Sequence, residues 1–314
     1  AEQATPRVAP GADELAPEDL GNGTLANPIQ VRSGVLRIAL FNGEGMSRRS
    51  WQNVKAVLEC PDLDPPLKVT LTNDLMNVTR EDFDVLIIPG GIANKVRNHY
   101  RKRSYSLKTA VKKFIKNGGG YVGICAGAYL AGFLQINAFS ASFVSLGVGY
   151  FTGTSWLAKS NEAPLAVPNK LLKRQRIFYS YGPLFRTPKP ESSRSHHIRN
   201  PRILLRVNTG GKLQIHKTPE GVKHESSTKY ASQGLVVSSD FAAGRVVLST
   251  THQETDVTRS SSARMSIGGP SKCGSVQARI LQNMVYFSAH RDATSTSSGK
   301  TRPWGSFSSQ PAQP

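Results

Sequence analysis

The chain has 314 residues, 38% of them hydrophobic and 19% charged, which is enough for one large folded domain or two ordinary ones. Lys and Arg number 40 against 21 Asp and Glu, a net charge of +19 that draws a protein toward polyanions: nucleic acid, anionic membrane or an acidic partner. No apolar run is long enough to span a bilayer, no basic and apolar leader opens the chain, and no internal repeat is present.

Residues 1–32 carry several prolines and glycines without periodicity and read as a flexible arm. The stretch Ala1–Asn27 would suit a mature end left after a removed leader, and the sequons Asn22-Gly-Thr and Asn77-Val-Thr point the same way. Cytoplasmic and secreted locations both stay open.

Order begins with Val35–Phe41, a short apolar run of the buried parallel-strand type that ends in the loop Asn42-Gly43-Glu44-Gly45-Met46-Ser47. A helix follows from about Ser50, with Trp51, Val54 and Leu58 on its inward stripe. Leu67–Leu71 is the second strand. Thr79–Asp82 reads as a one-turn helix start before the third strand, Val85–Ile88, which stops at Pro89-Gly90-Gly91. Leu107, Ala110, Val111, Phe114 and Ile115 form the apolar face of the next helix, with Ser106 as its expected N-cap and a glycine triplet to end it. This alternation predicts a parallel α/β sheet with helices on both faces.

The following stretch, Gly118–Leu130, reads as a buried strand, a sharp turn with Cys125 at its apex, and a small-residue helix start. Gly-x-Cys-x-Gly is a nucleophile elbow, which exposes a reactive atom above a sheet edge at a helix N-terminus, where the thiolate is favoured. A small inert cysteine in a glycine-rich turn fits the residue types equally well.

Beyond the elbow, Phe143–Trp156 mixes glycine with apolar residues, while Ile177–Tyr181 and Ile203–Val207 read as strands. Gly234–Ser238 and Arg245–Thr250 read as a hairpin around Ala242-Ala243-Gly244. Residues 258–275 are Ser/Gly-rich, expected to be a mobile insertion; Val276–His290 is an amphipathic helix, and 291–314 a disordered tail. The expected domain spans 33–290.

Charge is uneven along this path. Residues 1–84 hold 8 basic and 13 acidic side chains, residues 85–314 hold 32 and 8, and no acid occurs from Val85 to Asn161. The cluster Lys95, Arg97, Arg101, Lys102, Arg103 offers a polyanion patch, although a solvated face explains it as well. Cys60, Cys125 and Cys273 are too few and too far apart for a disulfide framework, and no zinc spacing exists, so neither metal nor cofactor is expected. Dinucleotide and phosphate-loop patterns fail at Arg48 and Arg206, where each needs glycine.

If Cys125 is a nucleophile it needs a base. Among seven histidines, His252 follows a strand end and has Glu254 two residues on, where an extended chain would place both on one side. A carboxylate there fixes the imidazole tautomer, as in a Cys-His-Glu triad. Gly90 and Gly91, with the N–H of Ala126, offer backbone donors for an oxyanion.

With Pro89-Gly90-Gly91, Gly123-Ile124-Cys125-Ala126-Gly127 and His252-Gln253-Glu254 in this order, the chain resembles the class I glutamine amidotransferase-like superfamily. Phe41–Ser47, Gly118–Ala131, Tyr179-Ser180-Tyr181-Gly182-Pro183 and Gly244–Ser249 make it look most like the N-terminal domain family of biotin-protein ligase. The resemblance covers residues 35–255. It implies a flavodoxin-like three-layer fold, Cys125 as nucleophile, His252 as base, Glu254 as orienter, and Tyr129, Gly43 and Tyr181 around a small-molecule amide or acyl substrate. Tyr129 stands where true glutamine amidotransferases carry Gln, and Gln253 where the family usually has Pro. No adenylate-binding run of a biotin ligase is present, so ligation is not expected. A cysteine-dependent hydrolase or transferase, a non-catalytic binding module and a polyanion-binding protein are the three readings; oligomeric state is open.

Overall fold

The computed structural model describes residues 34–289 apart from 62, 143–146, 159–162, 189–195, 216–222, 227–229, 231–232 and 260–264. The expected arm and tail, His216 and His290 lie outside the described residues. In chain order the elements are β1 (Leu36–Phe41), α1 (Arg48–Leu58), β2 (Leu67–Thr72), β3 (Val85–Ile88), α2 (Ala93–His99), α3 (Ser104–Lys116), β4 (Gly120–Ile124) and α4 (Ala126–Phe133). Then come β5 (Phe139–Ser142), β6 (Val148–Trp156), α5 (Asn169–Leu172), β7 (Ile177–Ser180), β8 (Leu184–Pro188), β9 (Ile198–Ile215) and β10 (Lys223–Ser226). The series closes with β11 (Gly234–Phe241), β12 (Gly244–Ser249), β13 (Thr255–Arg259), β14 (Met265–Pro270) and α6 (Val276–Ala289).

Five strands pair in parallel in the order β2-β1-β3-β4-β12, a flavodoxin-like arrangement. β3 and β4 are buried along their whole length, which is why β3 reads as an unbroken apolar run and β4 as one broken only by glycine. Alternate residues feed opposite faces: Val85 and Ile87 pack in one core with Val54, Val57 and Leu58 of α1 and with α6. Leu86 and Ile88 pack in the other, with Val96 of α2, Leu107, Val111, Phe114 and Ile115 of α3 and Leu130 of α4. Each such aliphatic side chain taken from water contributes roughly 1.5–3 kcal/mol. The result is the expected mixed α/β fold, with its sheet between two helical layers. No described helix is long and apolar enough to cross a membrane.

Several expectations need correction. The sheet is parallel only as far as β12: the expected hairpin at Ala242-Ala243-Gly244 joins β12 to β11, and beyond it the sheet continues antiparallel through β9, β6 and β7, a larger antiparallel half than the sequence suggested. β9 runs unbroken through Asn208–Lys212, with a register shift opposite β6 where its glycines lie. α3 starts at Ser104 without a side-chain cap, so Ser106 is inside the helix. Thr79–Asp82 is a turn held by Thr79 Oγ1–H donating to Asp82 at 2.7 Å. Within 258–275, β14 pairs with β13, so part of that segment is ordered strand.

Cys60 and Cys273 are joined as a disulfide, which overturns the reading of the cysteines as unconnected. Their 213-residue separation hid a spatial neighbourhood, because α1 packs on both β14 and α6. Cys125 is therefore the free cysteine.

At the start of β3, Asp84 accepts from the Arg37 backbone N–H (2.9 Å) and Nε–H (3.2 Å), and from Arg80. Burial would raise its pKa, but these bonds to Arg37 and Arg80 hold it below the ordinary 3.8. A depressed carboxylate adds stability above its unfolded value and loses it as pH falls through the folded one. Denaturant midpoints measured against pH are expected to drop below about pH 4, and Asp84→Asn to flatten that acid limb.

Candidate active site

The elbow is built by close approach. Cys125 follows β4 with φ +49° and ψ −98°, a backbone conformation that costs a non-glycine residue of order 1–3 kcal/mol. A Cβ on Gly127 would stand 2.1 Å from the Ile88 carbonyl oxygen, and one on Gly123 would stand 2.7 Å from the Gly127 backbone. Only glycine permits that packing of α4 against the strand ends. Cys125 N–H donates to the Ser249 carbonyl at 2.9 Å, tying the elbow to the end of β12.

From that strand end the chain turns rather than extending. Thr255 N–H donates to the His252 carbonyl (3.2 Å), and His252 N–H donates to the Phe178 carbonyl of β7 (2.8 Å). The turn still brings His252 and Glu254 together, with Nδ1 of the ring 2.8 Å from Oε1 of the acid. Gln253 is fully buried and bonds within the turn, its Nε2–H donating to Thr251 Oγ1 (2.6 Å), so it fills a structural position.

Cys125, His252 and Glu254 are 5%, 7% and 0% exposed. The Cys125 thiol donates to the Ser180 carbonyl at 3.2 Å. His252 Nε2 makes no hydrogen bond of ordinary geometry among the described residues. Burial would depress the His252 pKa, yet the Glu254 carboxylate and the neighbouring Cys125 sulfur together raise it well above the ordinary 6.5.

Ser50, on the first turn of α1, was not singled out from sequence. It is buried, its hydroxyl donates to Glu254 Oε1 (2.7 Å), and it accepts from the Gly90 N–H (2.9 Å). The reason is a zipper between two loops: Ser47 N–H donates to the Gly90 carbonyl (2.9 Å) and Ile92 N–H to the Gly45 carbonyl (2.7 Å). Ser47 also caps α1, which sets Ser50 beside the glycine pair. A serine within an amphipathic helix carries no local sign of this role.

Two expected donors therefore separate. Gly90, expected at the oxyanion, has its N–H bonded to Ser50, whereas the N–H groups of Gly91 and Ala126 have no hydrogen bond among the described residues. Gly43 does not reach the site; it sits against the Phe41 ring and the Asn73 carbonyl, outside the cavity lining. Tyr129 and Tyr181 do line it, with the Tyr129 hydroxyl donating to the Tyr181 carbonyl at 2.9 Å. Burial and the Cys125 sulfur push the Tyr129 phenol up to about 12.

The cavity that holds Cys125 and His252 is about 1160 Å³. Its apolar wall includes Leu130, Phe133, Phe139, Phe178 and Ile267. A thiol, an imidazole bonded to a buried carboxylate, and two backbone amides without hydrogen bonds among the described residues stand around one concave space, and these are the group types that acyl transfer uses.

No curated protein sequence matches the chain. Among solved structures, the chain is similar to a putative ThuA-like protein from Bacteroides uniformis, with 11% identity, 79% of this chain and 89% of that one covered, and a TM-score of 0.44. It is similar to a glutamine amidotransferase from Thermotoga maritima at 14% identity, with coverages of 70% and 76% and a TM-score of 0.40. A putative GMP synthase component from Thermoplasma acidophilum is similar at 13% identity, with coverages of 81% and 94% and a TM-score of 0.38. In sequence, residues 55–136, which include the whole elbow, match the DJ-1/PfpI family.

Proposed function

We propose that the chain is a cysteine-dependent hydrolase or acyl/amide-transfer enzyme acting through Cys125, His252 and Glu254. The observation that carries this reading is the strained cysteine at the apex of the elbow, sharing a cavity with a histidine whose far nitrogen is held by a buried glutamate. The reading also keeps the chain close to the amidotransferase-like enzymes in its elbow and histidine-glutamate turn, while Tyr129 in place of Gln argues for a substrate other than glutamine.

In this mechanism the Cys125 proton passes to His252 Nε2 and the sulfur attacks the substrate carbonyl carbon. The C–S bond forms as the carbonyl becomes an oxyanion, held by the Gly91 and Ala126 amides. The oxyanion collapses, the carbon–leaving-group bond breaks, and His252 returns its proton to the leaving group. Water or an acceptor amine then attacks the thioester, giving a proton to His252, and Cys125 is released with its proton restored.

The test is intact-mass detection of an acyl-enzyme after brief exposure to a panel of activated esters, thioesters and amides. A single adduct mapping to Cys125, and lost in Cys125→Ala, supports the reading. No adduct with any of them, together with a Cys125 as unreactive as an ordinary thiol, favours a non-catalytic binding module in the same cavity.

Ser50 acts in this scheme as a positioning residue, holding Glu254 and the glycine loop in one register. Ser50→Ala is expected to cost about 1–3 kcal/mol of stability by leaving buried groups unpaired. It should also displace the pH profile of Cys125 alkylation, a readout that a purely structural role would leave in place, with Ser50→Thr restoring it.

The disulfide favours the secreted alternative, because such bonds persist in oxidising compartments. The Asn77 sequon is exposed, as a glycosylation site must be.

A further inference from the structure

The cavity around Cys125 has an uneven charge that the proposed chemistry does not require. Arg49, on the first turn of α1, and Arg97, on α2, both line it, and no Asp or Glu does. Neither arginine has an ion-pair partner among the described residues. The nearby acids do not answer them. Glu254 is fully buried behind His252 and bonded to it and to Ser50, while Glu44 and Asp256 lie outside the lining. Beyond the rim the same sign continues, with the Lys108 ammonium 4.5 Å from the ring centre of Phe133, itself a lining residue. Apart from His252 and Cys125, the other polar side chains of the lining are uncharged groups, serines, tyrosines, Thr255, Asn94 and Asn137.

We propose that this site selects an anionic substrate, an amide or acyl compound whose carboxylate or similar anion is held by Arg49 and Arg97 while its apolar part lies against Phe133, Phe139 and Leu130. A cleft of one charge sign with apolar walls focuses its field and raises the local concentration of oppositely charged molecules, by about tenfold to a thousandfold in on-rate. Guanidinium groups also fit carboxylates in a two-point geometry that a lysine lacks. The inference rests on Cys125 being the reactive group, and it adds what that group is presented with.

Two alkylating agents that differ in charge separate the claims. Iodoacetate is an anion and iodoacetamide is neutral, and both report on Cys125 because Cys60 and Cys273 are bonded to each other. The quantity measured is the ratio of the two second-order rates, set against the same ratio for N-acetylcysteine. In the wild type the ratio is expected to exceed that of the free thiol by about tenfold and to fall as sodium chloride is raised. In Arg49→Gln/Arg97→Gln it should fall most of the way to the free-thiol value. His252 adds its own positive charge to both forms, so the change between wild type and double variant belongs to the arginines. The salt titration reads the whole positive field, His252 included, and the single variants Arg49→Gln and Arg97→Gln carry the comparison if the double substitution disturbs folding. A wild-type ratio equal to that of N-acetylcysteine, or one that ignores both the arginines and salt, overturns the inference while leaving the triad intact. If Cys125 reacts with neither reagent faster than N-acetylcysteine, the triad reading falls and takes this inference with it.

Discussion

Replacing His252 with alanine is expected to slow iodoacetamide alkylation of Cys125 at pH 7 by about 10²-fold, the low end of what a positioned base supplies. The reasoning starts from the environment of the ring. Burial disfavours its charge, but Glu254 at 2.8 Å and the Cys125 sulfur more than offset that, so the ring readily holds the proton it takes from Cys125. An imidazolium next to a cysteine supports the thiolate, which is the attacking species. Peptide mapping identifies the modified residue. Stability carries a matching signature. Because the folded pKa of His252 is raised above the unfolded 6.5, its contribution is fully present below that value and is lost as pH rises through the folded one. The wild type should therefore lose stability on the alkaline side by a margin that His252→Ala does not show. Equal alkylation rates in the two proteins would remove His252 from the mechanism.

The second large effect is on stability. Cys60→Ala/Cys273→Ala, or reduction of the native chain, is expected to lower unfolding free energy by about 2–5 kcal/mol. The bond closes a loop of 213 residues, and long loops are where a cross-link restricts the unfolded ensemble most. It also joins the two supports of the candidate triad acid. Cys60 lies just past α1, which carries Ser50; Cys273 lies two residues after Ser271, whose hydroxyl donates to the Gln253 carbonyl (2.7 Å) and whose N–H donates to the Glu254 carbonyl (2.9 Å). Denaturant midpoints with and without reductant provide the measurement, with Cys125→Ala present to prevent thiol exchange. An unchanged midpoint would mean that the two ends of this bond are held together without it.

Much of the parallel half of the fold is legible in local pattern. Val85–Ile88 and Tyr121–Ile124 are strands buried on both faces, so their residues are apolar or β-favouring apart from Gly123. Leu107, Val111, Phe114 and Ile115 repeat with the period of a helix packed on one side, and the lysines between them face away. The elbow is legible for a steric reason: the Ile88 carbonyl leaves no room for a side chain at position 127, and that exclusion writes glycine into the sequence. His252 and Glu254 are close in sequence, so their pairing is suggested locally, although a turn anchored on Phe178 and not an extended strand end brings them together.

What the sequence determined by itself was therefore each feature whose cause acts within a few residues: strand burial, helix faces, the glycine-flanked cysteine and the histidine-glutamate spacing. Only the tertiary structure decided the antiparallel continuation from β11 through β9 and β6 to β7, the Cys60–Cys273 bond, and the partners of Ser50 and Gly90. Ser50 meets Glu254 across 204 residues of chain, and Gly43 is turned toward Asn73 instead of the cavity, because loop zippering and helix packing set those distances. Contacts of that range are chosen by which surfaces can be buried together, and no periodicity along the chain records the choice.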